Sequence, residues 1–280
     1  MKTFSGLSIN PITPTIGAEI SGVDLSQPLT EPIVNAIYQA LLEHQVIFFP
    51  NQHISPQNHL DFAKAFGGLD QPHPIYPNVP GFEQIVILEN DGNNPLFTDE
   101  WHTDVTFRTH PPFATVLYTH TLPPCGGDTL WANMHAAYET LPSDVKAFLA
   151  DKEAVHDMGS FRNDFIAQGG VEELNDAMRR VGSAVHPVIA HHPATGRPYI
   201  NVNRSFAIHI LGMATPESAR WLSFLFDHVS DPLYQIRFRW ELNTLAMWDN
   251  RGTQHYAVAD YFPNNRRMHR VTVVNDKRVQ

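Results

Sequence analysis

His102 and Asp104, in the stretch Trp101-His102-Thr103-Asp104-Val105-Thr106-Phe107, place an imidazole and a carboxylate two positions apart among β-branched and aromatic residues. In a strand both would face one side of a sheet. One nitrogen and one oxygen on a single face suit a metal ion, provided that a third ligand comes from elsewhere. The best candidate is His255, in Trp248-Asp249-Asn250-Arg251-Gly252-Thr253-Gln254-His255-Tyr256, with Arg266 and Arg270 following it. Two histidines and one carboxylate occupy one face of an octahedron and leave the opposite face open, the arrangement of Fe(II) oxygenases.

The triplet by itself is a weak signal. With 16 His and 29 acidic residues in 280, chance supplies roughly one to two His-x-acid triplets. His59-Leu60-Asp61 is another. It follows Ser55-Pro56 and precedes Gly67-Gly68, which reads as a helix with a Ser cap, Pro in the first turn and Gly at the end. Residues two apart on a helix point away from each other, so this pair reads as a surface feature.

The elements that must carry these ligands follow from the rest of the chain. Its 280 residues with 42% hydrophobic content can bury a full core, and nothing in them demands more than one β-rich domain, 1–280. A net charge of -10 argues against nucleic acid or an anionic membrane as the main partner. Any anion must then be held by a few local basic residues. Cys125 is the only cysteine, which excludes an internal disulfide and a cysteine-built zinc site; it reads as a small apolar residue. The first residues lack the features of a secretory signal, and no apolar run approaches bilayer length. A soluble, cytoplasmic protein is the expectation.

Short strands are expected between Ile9 and Val23, at Val46–Phe49, Ile85–Leu88, 101–107, Phe113–Thr119, Asp128–Trp131, Val188–Ala190, Tyr199–Val202, Tyr234–Trp240, Leu245–Trp248 and His269–Val274. A helix capped at Thr30 and helices near His135–Leu141, Ser143–Leu149 and Glu217–His228 fall between them. Prolines on both sides of His73 exclude a regular helix and leave a rigid loop presenting His73 and Tyr76. Gly159 to Gly182 is polar and Gly-containing, and reads as a mobile loop or short helices covering a site. Strands in series with inserted helices favour a mainly β jelly roll, or double-stranded β-helix, over a parallel α/β fold.

Taken together, the Trp-His-Thr-Asp-Val-Thr-Phe stretch, Gly126-Gly127-Asp128-Thr129-Leu130-Trp131, Trp248-Asp249-Asn250-Arg251 through His255, and Arg266 to Arg270 resemble the taurine dioxygenase (TauD/TfdA) family. These are Fe(II)- and 2-oxoglutarate-dependent oxygenases, and the motifs occur in family order from about Ile9 to the C-terminus. The resemblance implies His102, Asp104 and His255 as metal ligands and catalytic centre. Arg266, eleven positions beyond His255, matches the arginine that pairs with the far carboxylate of 2-oxoglutarate, and Thr129 matches the threonine that adds a hydroxyl donor there. A guanidinium fork fits a carboxylate in two parallel hydrogen bonds. Arg270 matches the arginine that binds the substrate sulfonate and His73 its histidine partner; Tyr76 and Phe206 match pocket residues, and Phe161 corresponds to another through a looser alignment. Two stretches depart from taurine-specific members. Phe97-Thr98 stands where they have Asp-Asn, and Asn203-Arg204-Ser205-Phe206 where they have Asn-Glu-Gly-Phe.

The implied reaction consumes O2 and 2-oxoglutarate, gives succinate and CO2, and hydroxylates the carbon bearing the sulfonate of a small anion, with taurine leading. That carbon then collapses to an aldehyde and sulfite. Another small anion, such as a carboxylate, amino acid or aryloxy acid, would suit the same chemistry. A zinc hydrolase can use the same three ligands, but Arg266 and Thr129 have no role in hydrolysis; a catalytically silent jelly-roll binding protein is disfavoured by the complete ligand set. The resemblance also implies a homo-oligomer, dimer or tetramer.

Overall fold

The structure, a computed structural model, describes residues 2–4, 6–73, 75–91 and 99–279. Phe97 and Thr98 lie outside the described residues. Strands β1 (Lys2–Phe4), β2 (Leu7–Pro11) and β3 (Ala18–Ser21) lead to α1 (Glu31–His44), β4 (Val46–Phe49) and α2 (Pro56–Lys64). Then come β5 (Asn78–Val79), β6 (Phe82–Asn90), β7 (Ala114–Thr121), β8 (Thr129–Asn133), α3 (Met134–Thr140) and α4 (Ser143–Leu149). The middle of the chain forms β9 (Glu153–His156), α5 (Phe161–Arg180), β10 (Ala184–Pro187), β11 (Ile189–His191), β12 (Pro198–Ile200), β13 (Ala207–Ile210) and α6 (Thr215–His228). It closes with β14 (Gln235–Phe238), β15 (Leu245–Asp249), β16 (Thr253–Ala257) and β17 (Arg266–Val273).

Two sheets make the jelly roll. The larger has the order β1-β2-β3-β4-β15-β7-β17-β6-β5, the smaller β14-β8-β16. Crossing between chain-distant strands puts β7, β15 and β17 side by side, with Leu117 opposite Arg270 and Trp248 opposite Thr115. Successive side chains alternate between the faces of a strand, and this alternation sorts the residues. Val46, Phe48, Leu117, Ala246, Trp248 and Met268 of the large sheet meet Trp131 and Ile236 of the small one in a core between the sheets. On the opposite face Val116, Met247, Val271 and Val273 pack against α1 and α2 through Ile37, Leu41, Leu60 and Phe62. Arg266 and Arg270 have the parity of Met268 and therefore the inner face. Thr115 shares it with Leu117, as His255 and Thr129 share theirs with Trp131.

Local signals mark some element ends: Thr30 stands at the cap position of α1, though its side chain makes no capping bond. Ser55 caps α2 in a reciprocal capping box with Asn58, and Pro56 takes the first position. The structure differs from expectation in three places. The 101–107 stretch is not a strand: only His102 pairs, through a bridge to His255, and the chain then turns, with Val105 at φ 46°. His59 is not on the surface; it is 2% exposed, with its Nε2 3.3 Å from the Val116 carbonyl oxygen. The helix direction was right, but α2 lies on the large sheet and turns His59 inward while Asp61 stays outside. Cys125 is exposed rather than packed. Of the two readings of 159–182, short helices is the one seen: α5 is broken where Gly169 and Gly170 leave helical geometry. Strands β9, β10, β13 and β16 had no clear apolar alternation to announce them.

Candidate active site

The bridge between His102 and His255 builds the site. Each residue's N–H donates to the other's carbonyl, at 3.0 and 2.8 Å, and the two rings lie 4.1 Å apart. Beyond His102 the chain turns back instead of continuing a ladder, so the N–H and C=O of Asp104 need other partners. Asn250 provides them. Its Oδ1 accepts from the Asp104 N–H at 2.9 Å, and its Nδ2 donates to the carbonyls of Asp104 at 3.1 Å and Pro112 at 3.2 Å. The turn carries the Asp104 carboxylate to the imidazoles: Oδ1 is 4.0 Å from His102 Nε2 and 3.8 Å from His255 Nε2. Among the described residues this is the one cluster of three or more His, Cys, Asp or Glu ligand atoms placed to hold a metal ion.

The donor chemistry fits a divalent metal. His102 Nδ1 lies 2.7 Å from the Glu100 carbonyl oxygen and must donate to it, which leaves Nε2 with a free lone pair on the cluster side. Burial, with His102 second, pushes the His255 imidazole down to about 3, so it is neutral at pH 7. Burial alone would raise the Asp104 carboxyl, but His255, Arg270, His102 and the Thr115 hydroxyl together hold it down to about 2. Arg270, whose Nη1 is 3.7 Å from Asp104 Oδ1, is the permanent positive charge among them.

A cavity of about 810 Å³ opens over this cluster, lined among others by His73, Tyr76, Thr129, Phe161, Phe206, Arg266 and Arg270. Arg266 is buried, its Nε donating to the Gly127 carbonyl at 3.0 Å and its Nη2 to Thr129 Oγ1 at 3.4 Å. Among the described residues no carboxylate pairs with it, and burial lowers its guanidinium to about 10. A desolvated cation facing a cavity calls for an anion. Thr129 Oγ1 also accepts from Trp240 Nε1 at 2.9 Å, so its own hydroxyl hydrogen is left to donate elsewhere. Gly127, at φ 72°, permits this packing; a Cβ there would stand 2.9 Å from Arg266 Cδ.

His73 and Tyr76 sit on the loop before β5, their rings 4.7 Å apart, and the Arg270 guanidinium lies 6.0 Å from the Tyr76 ring centre. His73 Nδ1 accepts from the N–H groups of Ile75 and Tyr76, both at 3.2 Å. Its proton is therefore on Nε2. Burial, then Arg270 and Arg108, push this imidazole down to about 3, which makes it a neutral donor. Phe161 lies against Phe206, rings 6.3 Å apart and nearly parallel, and Phe107 meets Phe206 edge-on at 5.2 Å. With Ile75 and Val105 they form an apolar wall.

All the site residues expected from sequence thus meet in one cavity. The sequence reading did not single out Asn250, Thr115 or His192. His192 Nε2 is 2.9 Å from Asp249 Oδ2 in a fully buried pair, and Arg251 joins Asp249 to Asp276. This cluster anchors the turn that bears Asn250. The signal available was a run of polar residues, Asp249-Asn250-Arg251, where the apolar strand β15 ends.

The sequence model of the taurine catabolism dioxygenase TauD, TfdA family matches residues 8–272. The chain belongs to the TauD/TfdA family. Like other members, this TauD-family protein is an Fe(II)- and 2-oxoglutarate-dependent dioxygenase that uses O2. It is 38% identical over 278 residues to an alpha-ketoglutarate-dependent sulfate ester dioxygenase of Pseudomonas putida, covering 96% of this chain and 90% of that one. An alkylsulfatase of Acinetobacter baylyi is 34% identical over 280 residues, 96% of this chain and 86% of its own. Among solved structures, a taurine dioxygenase from Burkholderia xenovorans superposes with a TM-score of 0.82 at 33% identity, covering 97% of this chain and 90% of that one. Among the described residues of this TauD-family dioxygenase, no helix is long and apolar enough to cross a membrane.

Proposed function

We propose that this dioxygenase hydroxylates a small organosulfur anion with an apolar tail, an alkyl sulfate ester first and an alkyl sulfonate second, at the carbon bearing the head group. The observation that carries this reading is the cavity itself, where the cation Arg270 and the neutral donor His73 stand beside an aromatic wall of Phe161 and Phe206, backed by Phe107. The P. putida and A. baylyi relatives, by name a sulfate ester dioxygenase and an alkylsulfatase, support it.

In this reading His102, Asp104 and His255 hold Fe(II), which when bound supplies the activation of O2 that couples 2-oxoglutarate decarboxylation to substrate hydroxylation. Arg266 and Thr129 hold the distal carboxylate of 2-oxoglutarate, the guanidinium gaining the counter-ion it lacks. Arg270 neutralises the sulfate or sulfonate, and His73 Nε2–H donates to one of its oxygens. Tyr76, Phe161 and Phe206 pack the carbon chain, fix which C–H bond faces the metal ligands, and keep water out. For a sulfate ester the balance is R–CH2–OSO3⁻ plus O2 and 2-oxoglutarate giving R–CH(OH)–OSO3⁻, succinate and CO2. The hydroxylated carbon then loses its O–H proton to solvent, the carbon–oxygen bond to the sulfate breaks, and aldehyde and sulfate leave.

Taurine is the second reading. Asp164, one turn beyond Phe161 on α5, puts a carboxyl group on the cavity wall, where an ammonium group would find a partner. A panel of alkyl sulfates, alkyl sulfonates, taurine and carboxylates, assayed together for succinate, sulfate and sulfite, tests both. Sulfate release from alkyl sulfates at the lowest KM is expected. Succinate rising with carboxylates alone would sink the organosulfur assignment.

A further inference from the structure

We propose that Thr115 is a positioning residue that makes Asp104 a one-oxygen ligand. The inference rests on the reading that His102, Asp104 and His255 hold the metal. Thr115 is the second residue of β7, 0% exposed, opposite Trp248 on one side and Thr272 on the other. Its backbone is locked in the ladder. Its hydroxyl donates to Asp104 Oδ2 at 2.8 Å, a bond made entirely within the interior.

The two oxygens of Asp104 therefore differ in duty. Oδ1 faces His102 Nε2, His255 Nε2 and Arg270 Nη1 at 4.0, 3.8 and 3.7 Å, and Oδ2 faces Thr115. Asn250 already fixes the Asp104 main chain by its N–H and its carbonyl. What remains free is rotation of the carboxylate about its last bond, a broad and roughly two-fold torsion. The Thr115 hydroxyl is the group that stops it. Without that donor, Oδ2 is a buried acceptor with no partner, and either oxygen or both can turn to the metal. Groups that orient a ligand from behind typically change metal affinity by about 10- to 100-fold. A hydroxyl flanked by Ala114, Val116 and Leu117 and buried between β15 and β17 has no packing reason to be there; valine would fill the same space.

Thr115→Val keeps the shape and removes the donor, whereas Thr115→Ser keeps the donor and removes a methyl group. Metal-free wild type and both variants are titrated with Mn(II) by electron paramagnetic resonance, with thermal unfolding measured on the same samples. Wild type and Thr115→Ser are expected to bind one equivalent with similar affinity, and Thr115→Val about 10- to 100-fold more weakly while still folding, its metal-free unfolding temperature lowered because Asp104 Oδ2 loses a buried donor. Should the valine variant not fold, Thr115→Ala makes the same comparison. Equal affinity of the donor-free variant and wild type overturns the role of Thr115 alone, as does a serine variant that folds yet binds as weakly as valine. Wild type that fails to bind Mn(II) overturns the metal-site reading as well.

Discussion

Arg266→Met should separate binding from stability, because the two effects have opposite signs. Arg266 is 5% exposed and has no carboxylate partner among the described residues. Burial lowers its guanidinium from 12.5 to about 10. At about 1.4 kcal/mol per unit this costs the free protein on the order of 3 kcal/mol. Both folded and unfolded chains are protonated below pH 10, so the cost is fully present at pH 7 and is relieved only as pH rises through 10. Methionine removes it and gives up hydrogen bonds to the Gly127 carbonyl and the Thr129 hydroxyl, each about 0.5–1.5 kcal/mol. The 2-oxoglutarate-free variant should therefore be as stable as wild type or more stable by about 1–2 kcal/mol. Binding moves the other way. Losing a forked, charge-assisted pair at about 1.5–3 kcal/mol per bond should weaken 2-oxoglutarate by roughly 10²- to 10⁴-fold. Thermal unfolding without ligand, and anaerobic titration of the Fe(II) protein with 2-oxoglutarate followed by its visible band, measure the two. At 2-oxoglutarate about 100-fold above its Kd, wild type gains roughly 2.7 kcal/mol, and the variant should gain little at the same concentration. A free variant destabilised by more than about 2 kcal/mol with unchanged 2-oxoglutarate affinity would show a structural cation, and the co-substrate site would need another home.

Arg270→Gln should abolish substrate-stimulated succinate formation while the visible Fe(II)–2-oxoglutarate band persists; loss of the band would place Arg270 in the co-substrate site instead. Replacing Phe206 by Ala should raise KM for long alkyl sulfates more than for methyl sulfate, by about 10-fold or more given roughly 3–5 kcal/mol for a buried phenylalanine; equal effects on both would remove it from the chain-binding wall. Asn250→Ala should weaken Mn(II) and lower the unfolding temperature together, since it leaves the Asp104 N–H unpaired; a variant unaffected in both would refute the turn-holding role. Acid should unfold the protein steeply. His59 and His156 are pushed down to about 3, and His135 and His269 to about 4, in each case chiefly by burial. Unfolded, they take up protons near 6.5. Stability fully present above pH 6.5 is then lost at roughly 1.4 kcal/mol per histidine per pH unit as pH falls toward 4. Against a typical 5–15 kcal/mol total, circular dichroism should show unfolding at about pH 4–5.5, and a native spectrum at pH 3.5 would contradict those burials.

How much of this was legible beforehand differs between residues. The ligand types, their order along the chain and the strand-rich architecture followed from one-dimensional signals, and the placing of Arg266, Arg270 and Thr129 from the resemblance to the TauD/TfdA family. Residue type sets ligand and charge, and motif order reports a shared topology. His59 shows where such signals stop: the helix was legible, but which of its faces meets the large sheet was not. The stretch at 101–107 fails for a related reason. β-branched and aromatic residues report preference for a half-buried pleated surface, whereas Asp104 is placed by a side chain 146 positions away that takes over its backbone hydrogen bonds.

The amino-acid sequence alone determined which atoms are available to bind iron, 2-oxoglutarate and an anion. Only the tertiary structure decided how they are aimed: the turn at Val105, the proton on His73 Nε2, and the engagement of one Asp104 oxygen by Thr115. The physical reason is range. Composition and spacing act over a few residues, but the direction of a lone pair or a carboxylate is set by whichever distant strand folding brings within hydrogen-bonding distance.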